Sequence, residues 1–335
     1  MGRCVPPLLI AWLVAAFGAA SPSLASIPES SPLTIGPAER LLVVAPHPDD
    51  ETLGAGGLVQ RVLALGGTVA VVWITAGDGY VEAVEQETGE PRPRAAEFVA
   101  YGKRRIGEAR AAVRVLAHGS SGDRLRLVEL GFPDSGLARL LLGHWDRMHP
   151  ERSATTGASR PPYPEAADRG VEYDGSDLRR ELVKLLKATR PTLIAFPDPL
   201  DWHPDHHATG LFVLLAIKDW RARGRERSTL VPRLLAYLVH WPGWPPGWDT
   251  DPARQPIDAP LTLPRDLPGR GLERVVLELT HDEVLRKQAA LAAHRTQEQV
   301  MAPFLRSFVR RTEPFSLLTP RELRRVAGVI DRRAR

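Results

Sequence analysis

Two short runs concentrate side chains that can do chemistry. One is Pro46-His47-Pro48-Asp49-Asp50-Glu51 and the other is His203-Pro204-Asp205-His206-His207. They hold four of the chain's ten histidines, so the imidazoles gather in two places. A catalytic zinc takes about three protein ligands of the His, Asp or Glu type and keeps one position open. His47, Asp50 and His206 would suffice. Adjacent Asp49 and Asp50 cannot both point one way from an extended turn. One of the pair can ligate while its neighbour faces the metal's water and serves as general base. The metal brings that water's pKa to about 7 and polarises a carbonyl. His203, three residues before His206, is placed to flank the metal, stabilise an oxyanion and protonate a leaving amine. Asp205 is placed to hold that imidazole in its charged form. Pro-Asp and Asp-Asp also form turns, and an Asp can cap a helix. Two such runs at strand ends in one chain outweigh that plainer reading.

The elements that must position these runs alternate between strand and helix. Leu41 to Ala45 is a short apolar run like a buried parallel strand, and it ends in the first run. A helix is expected over about Leu53–Leu65, stopped by Gly66-Gly67. Val69 to Thr75 is a second strand, ending in Ala76-Gly77-Asp78-Gly79. Arg94 to Leu116 reads as a long amphipathic helix. Leu125 to Leu130 is a third strand, followed by Gly131-Phe132-Pro133-Asp134. Residues 139–172 are rich in Pro, Gly, Ser and charge, and read as a long insertion or lid loop. Ser176 to Thr189 is a helix capped near Ser176 or Gly175. Thr192 to Phe196 is a fourth strand that leads into the second run, with a helix over Ala208–Arg221. Leu234 to His240 and Leu272 to Leu279 read as strands, with a Trp/Pro/Gly-rich loop over 241–269 between them. A helix over His281–His294 has Thr280 as N-cap. The fold class is therefore α/β: a Rossmann-like three-layer sandwich with a mostly parallel sheet, long loop insertions and a C-terminal β/α extension.

Composition bounds the rest. The chain has 335 residues, 43% hydrophobic and 25% charged, which is globular composition. Its net charge of +4 forms no basic stripe interleaved with aromatics, so no nucleic-acid partner is expected. Trp202 is the sole tryptophan adjoining either run, which gives no nucleotide-stacking platform. Residues 1–25 have a basic start, an apolar stretch and Ser23-Leu24-Ala25, the pattern of a secretory signal peptide. Cleavage near Ala25–Ser26 would remove the one cysteine, Cys4, and with it thiol chemistry and Cys-ligated zinc. The expected location is secreted or periplasmic, with no stable membrane span after cleavage. Residues 26–39 read as a linker, 40–320 as the catalytic domain and 321–335 as a basic C-terminal tail.

These motifs resemble those of the LmbE/PIG-L family of zinc-dependent N-acetylglucosaminyl de-N-acetylases. Pro46 to Glu51 is similar to the family's segment after its first strand, and His203 to His206 to its late His-Pro-Asp-His segment. Thr75 to Gly79, Arg105-x-x-Glu108, Gly131 to Asp134, Lys287 to Gln297 and Phe304 to Phe315 extend the likeness over about 41–315. By this resemblance His47, Asp50 and His206 bind Zn2+ and Asp49 is the general base. His203 stabilises the oxyanion or acts as acid, oriented by Asp205. Glu51 supports the site or starts the helix, and Arg105 and Asp134 are secondary candidates. Some relatives carry a Tyr shortly before the second motif, where this chain has Asp201-Trp202. The resemblance implies an exported zinc hydrolase that removes the acetyl group from an N-acetylated amino sugar or related amide. Its substrate would be an amino sugar or glycoconjugate, with Trp202, Trp241, Trp244 and Trp248 available to stack on a sugar face. The alternatives are another metal-dependent hydrolase such as a phosphoesterase, or a non-catalytic carbohydrate-binding protein on the same scaffold.

Overall fold

The computed structural model describes residues 30–120, 122–223, 231–249, 256–268 and 272–318. The expected signal peptide and cleavage point, residues 26–29 of the expected linker, the 321–335 tail and part of the 241–269 loop lie outside the described residues. The strands are β1 (Ser31–Pro32), β2 (Arg40–Ala45), β3 (Thr68–Thr75), β4 (Leu125–Phe132), β5 (Leu193–Pro197), β6 (Arg233–Tyr237), β7 (Glu273–Glu278) and β8 (Thr312–Leu318). They form one sheet in the order β1-β7-β8-β6-β5-β2-β3-β4. Neighbours from β6 through β4 pair in parallel, whereas β8 runs antiparallel to both β6 and β7. The parallel part has the doubly wound order, with β2 and β5 side by side at the point where the winding reverses.

The helices are α1 (Asp50–Ala64), α2 (Val81–Thr88), α3 (Ala95–Ala117), α4 (Leu137–Leu142), α5 (Gly175–Thr189), α6 (Pro204–Arg223), α7 (His281–Leu291) and α8 (Arg295–Arg306). They cover both faces. Leu41, Val43 and Ala45 of β2 pack with Val59 and Val62 of α1, Ile106 and Val113 of α3 and Val284 of α7. Leu42 and Val44 face the other way, onto Leu178 and Leu182 of α5 and Phe212 of α6. Both faces of β2 are buried, so its sequence is uniformly apolar rather than alternating.

Several expectations shift. The helix after β2 starts at Asp50, not Leu53, and α6 starts at Pro204, not Ala208. Proline suits a first helical position because its missing N–H is not needed there. Asp50 and His206 therefore sit on first helical turns. The cap of α5 is Asp174, whose carboxylate accepts the Asp177 N–H at 2.8 Å, in place of Ser176 or Gly175. Thr280 caps α7 as expected, in a reciprocal box with Glu283. The linker is not wholly free: Ser31–Pro32 pairs with β7 and Leu33 is buried in the core. The 143–174 segment is anchored rather than lid-like. Tyr173 Oη donates to Gly131 O at 2.8 Å, Glu151 N donates to Tyr173 O, and Tyr163 Oη donates to Asp78. Trp244 is core, packed on Phe308.

One close approach constrains α1. A Cβ at Gly54 would stand 2.4 Å from the ring of Tyr237, whose hydroxyl is tied to Val44 O at 2.8 Å. Gly54→Ala is expected to cost about 1–3 kcal/mol through overpacking. Gly107→Ala on α3, where nothing lies within 4 Å, is expected to gain up to about 1 kcal/mol from helix propensity. Urea unfolding of the two variants beside the parent checks both signs.

Candidate active site

The carboxyl ends of β2 and β5 face each other at the winding reversal, the usual place for a ligand in such sheets. From β2 the chain turns through Pro46–Asp49 into α1. From β5 it runs through Asp198–His203 into α6. This brings both motifs together. The ring centroids of His47, His203 and His206 lie 4.9 to 5.3 Å apart. One ligand atom from each of these three lies within 4.8 Å of the others, and the same holds for His47, Asp134 and Asp205. Asp50 Oδ2 is 3.3 Å from His47 Nδ1 and 3.2 Å from His206 Nε2.

The donor set fits a divalent ion. Both ring nitrogens of His206 are buried with no hydrogen-bond partner, a rare state for buried polar atoms. His206 Nε2 and Asp50 Oδ2 are close but not aligned on each other, as two ligands converging on a third atom would be. His47, Asp50 and His206 supply the imidazole and carboxylate donors that zinc accepts. Asp201 Oδ2 stands 3.4 Å from His206 Nδ1, behind the ring, as metal-binding histidines require. Asp201 is itself fixed, accepting the N–H groups of Val239 at 2.9 Å and His240 at 3.0 Å. The field favours positive charge here. Burial opposes it, yet Asp50 and Asp201 lift the His206 imidazole to about 9. Against the same burial cost, His206 and His47 hold Asp50 well below the usual carboxylate range.

Asp49 is held apart from this cluster by its own clamp. Its φ of 151° lies where side-chain-bearing residues are strained. Its N–H is accepted by Glu51 Oε2 at 3.0 Å, and its Oδ2 receives Arg105 Nη2 at 3.0 Å. Arg105 also donates to Pro48 O at 3.1 Å and Gly77 O at 2.9 Å. A helix-surface arginine is normally solvated, but Arg105 is 4% exposed. Burial, with help from Asp50 and against Arg105, pushes the Asp49 carboxyl up to about 6. Glu51 is fully buried and accepts Trp73 Nε1 at 2.9 Å and Thr52 Oγ1 at 2.8 Å.

The expected link between Asp205 and His203 is corrected. The Asp205 carboxylate accepts Ser135 N at 2.7 Å and Leu137 N at 2.9 Å, and lies 3.3 Å from His47 Nε2. It is the Asp205 backbone N–H that meets His203, donating to Nδ1 at 3.2 Å. An acceptor at Nδ1 leaves the ring proton on Nε2. Burial and the neighbouring His47, His206 and His240 lower the His203 pKa well below its ordinary value, so the ring is neutral rather than charged. Asp134 Oδ1 lies 3.2 Å from His47 Nε2. His240 and His294 carry no motif in the reading of the sequence, yet both reach the centre. His240 lies 4.8 Å from His206 and stacks on Phe304, and His294 Nε2 lies 3.5 Å from Glu51 Oε1. Nothing local distinguishes them, because their partners are 34 or more positions away. Trp202 and Trp248 are exposed, and Trp241 is tied to Asp266 at 3.1 Å.

Comparison with known proteins places the chain in a family. The chain is 28% identical to a 1D-myo-inositol 2-acetamido-2-deoxy-alpha-D-glucopyranoside deacetylase of Salinispora arenicola, over 79% of this chain and 78% of that one. It is also 28% identical to such a deacetylase of Saccharopolyspora erythraea, over 79% and 80% of the two chains. Among solved structures, the 4-carboxy-2-hydroxymuconate hydratase GalB of Pseudomonas putida shares the fold, with a TM-score of 0.52, 17% identity, and coverage of 85% and 97%. The family model described as PIG-L, GlcNAc-PI de-N-acetylase, matches residues 42–217, and the chain belongs to that family.

Proposed function

We propose that this protein is an exported zinc-dependent hydrolase that removes the acetyl group from an N-acetylated amino sugar. The fold alone does not choose the reaction, since a hydratase shares it, so the site must carry the argument. The observation that carries it is Asp49, clamped by Arg105 in a strained backbone beside the converging His47, Asp50 and His206. The named relatives are deacetylases of a glucosamine-containing substrate, which supports the choice of amide and sugar.

His47, Asp50 and His206 would hold the zinc, with Asp201 and Asp205 behind the two imidazoles. When bound, zinc supplies Lewis acidity, polarising the amide carbonyl and acidifying a water. Asp49 accepts a proton as the water oxygen bonds to the carbonyl carbon. His203 donates its Nε2–H to the developing oxyanion, a role that a neutral imidazole performs. The C–N bond then breaks, the amine leaves with the proton returned by Asp49, and acetate remains. Both candidate ligand groups among the described residues, His47–His203–His206 and His47–Asp134–Asp205, include His47. Export rests on the basic and apolar pattern of residues 1–25. Substrate is expected among envelope or environmental saccharides.

Acetate release from a panel of N-acetylated amino sugars tests the reading. The zinc-loaded parent is expected to release acetate, and Asp49→Ala to lose about 10²–10⁴-fold in kcat. Equal rates in the two proteins would remove Asp49 from the mechanism. Metal analysis of His206→Ala is expected to show loss of the ion that the parent retains through dialysis. Arg105→Lys keeps charge but not the three-point grip. It is expected to lower kcat about tenfold or more while KM stays within about twofold, because the grip is on the base. A rise in KM alone would make Arg105 a substrate contact instead.

A further inference from the structure

The helix that carries Asp50 is two helices joined at a break. Ala55 has φ −144° and ψ 16°, which is not helical. Leu53 O and Gly57 N are the acceptor and donor of one rung of an α-helix ladder. Both are engaged by a buried ion pair. Lys287 Nζ donates to Leu53 O at 2.8 Å and to Glu313 Oε1 at 2.7 Å. Glu313 accepts Gly57 N at 2.7 Å and Leu58 N at 2.9 Å. Lys287 and Glu313 are each 1% exposed. They belong to α7 and β8, outside residues 42–217 matched by the family model. The neighbouring glycines make room: a Cβ at Gly57 would stand 3.0 Å from Glu313 Oε2 and 2.3 Å from Leu279.

The same C-terminal corner grips the other half of the site. His294 Nε2 reaches Thr52 Oγ1 at 3.3 Å as well as Glu51. Thr296 Oγ1 donates to Glu108 at 2.7 Å, and Gln297 Nε2 to Tyr101 Oη at 2.9 Å, both on the helix of Arg105. A buried ion pair is weak support for stability, because apolar residues of like volume often do as well. Placed at the break, it does what apolar residues cannot: it gives the backbone groups of Leu53 and Gly57 charged partners on either side of Ala55.

We propose that Lys287 and Glu313 are positioning residues for the metal ligand Asp50, so that residues beyond the matched span complete the metal site. This rests on Asp50 as a ligand. The test is titration of the metal-free full chain with Co2+, read by its visible absorption, with thermal unfolding in parallel. Lys287→Met, Glu313→Gln and the double variant are compared with Leu182→Ala, a core truncation on the opposite face of the sheet. The pair variants are expected to bind Co2+ about tenfold or more weakly and to shift the absorption band. Leu182→Ala is expected to melt earlier but bind as the parent does. Should the single variants not fold, the double variant, which leaves no unpaired charge, and Glu313→Asp are read by the same criterion. Folded pair variants that bind within about twofold of the parent would overturn the proposal. A parent that binds no Co2+ would overturn the metal reading, and this inference with it.

Discussion

A buried carboxylate must find donors, because an unpaired charge away from water is very costly. That constraint organises this molecule. Asp50 accepts His47 N at 2.9 Å, Asp134 accepts Gly79 N at 2.6 Å, Asp201 accepts Val239 N and His240 N, and Asp205 accepts Ser135 N and Leu137 N. Those donors follow β2, β3, β6 and β4, and Asp201 and Asp205 follow β5. The acids therefore tie the carboxyl ends of β3, β4, β5 and β6 together, and β2 joins them through the contact of His47 Nε2 with Asp205. The same acids surround His47 and His206. A site that attracts a cation and a sheet end that is held shut are thus one set of hydrogen bonds.

Much of this was legible in the sequence, and the reason is local. The strand ends at Ala45 and Pro197 follow apolar runs that can only be buried on both faces. The residues after them are too polar to continue a strand. The two motifs could therefore be brought together from spacing and topology, while the choice of Asp50 over Asp49 beside His47 and His206 came from the family resemblance. The role of the Asp205 carboxylate was not legible, because its partners at Ser135 and Leu137 are 70 and 68 residues away. Its nearness in sequence to His203 pointed to a contact that the first turn of α6 makes with backbone instead. Arg105 was misleading for a related reason. On an amphipathic helix it reads as a solvated charge, and only the closure of α3 over the β2–α1 turn buries it. The antiparallel β8 was missed as an element because its polar residues, Glu313 among them, are recruited by distant backbone.

The strain at Asp49 shows how these layers depend on one another. A side-chain-bearing residue at such φ costs about 1–3 kcal/mol and persists only where its surroundings over-determine it. Here three separate elements do so. Arg105 from α3 holds the Pro48 carbonyl and the Asp49 carboxylate, Glu51 from α1 takes the Asp49 N–H, and Trp73 from β3 fixes Glu51 in turn. A relaxed backbone would let Asp49 share the direction of Asp50, and two adjacent carboxylates would then compete for one cation. The unusual φ at Asp49 instead sends its carboxylate to Arg105, while that of Asp50 lies against His47 and His206. The buried arginine, glutamate and tryptophan are the means by which an otherwise ordinary α/β sheet sustains that strain beside the cluster of His47, Asp50 and His206.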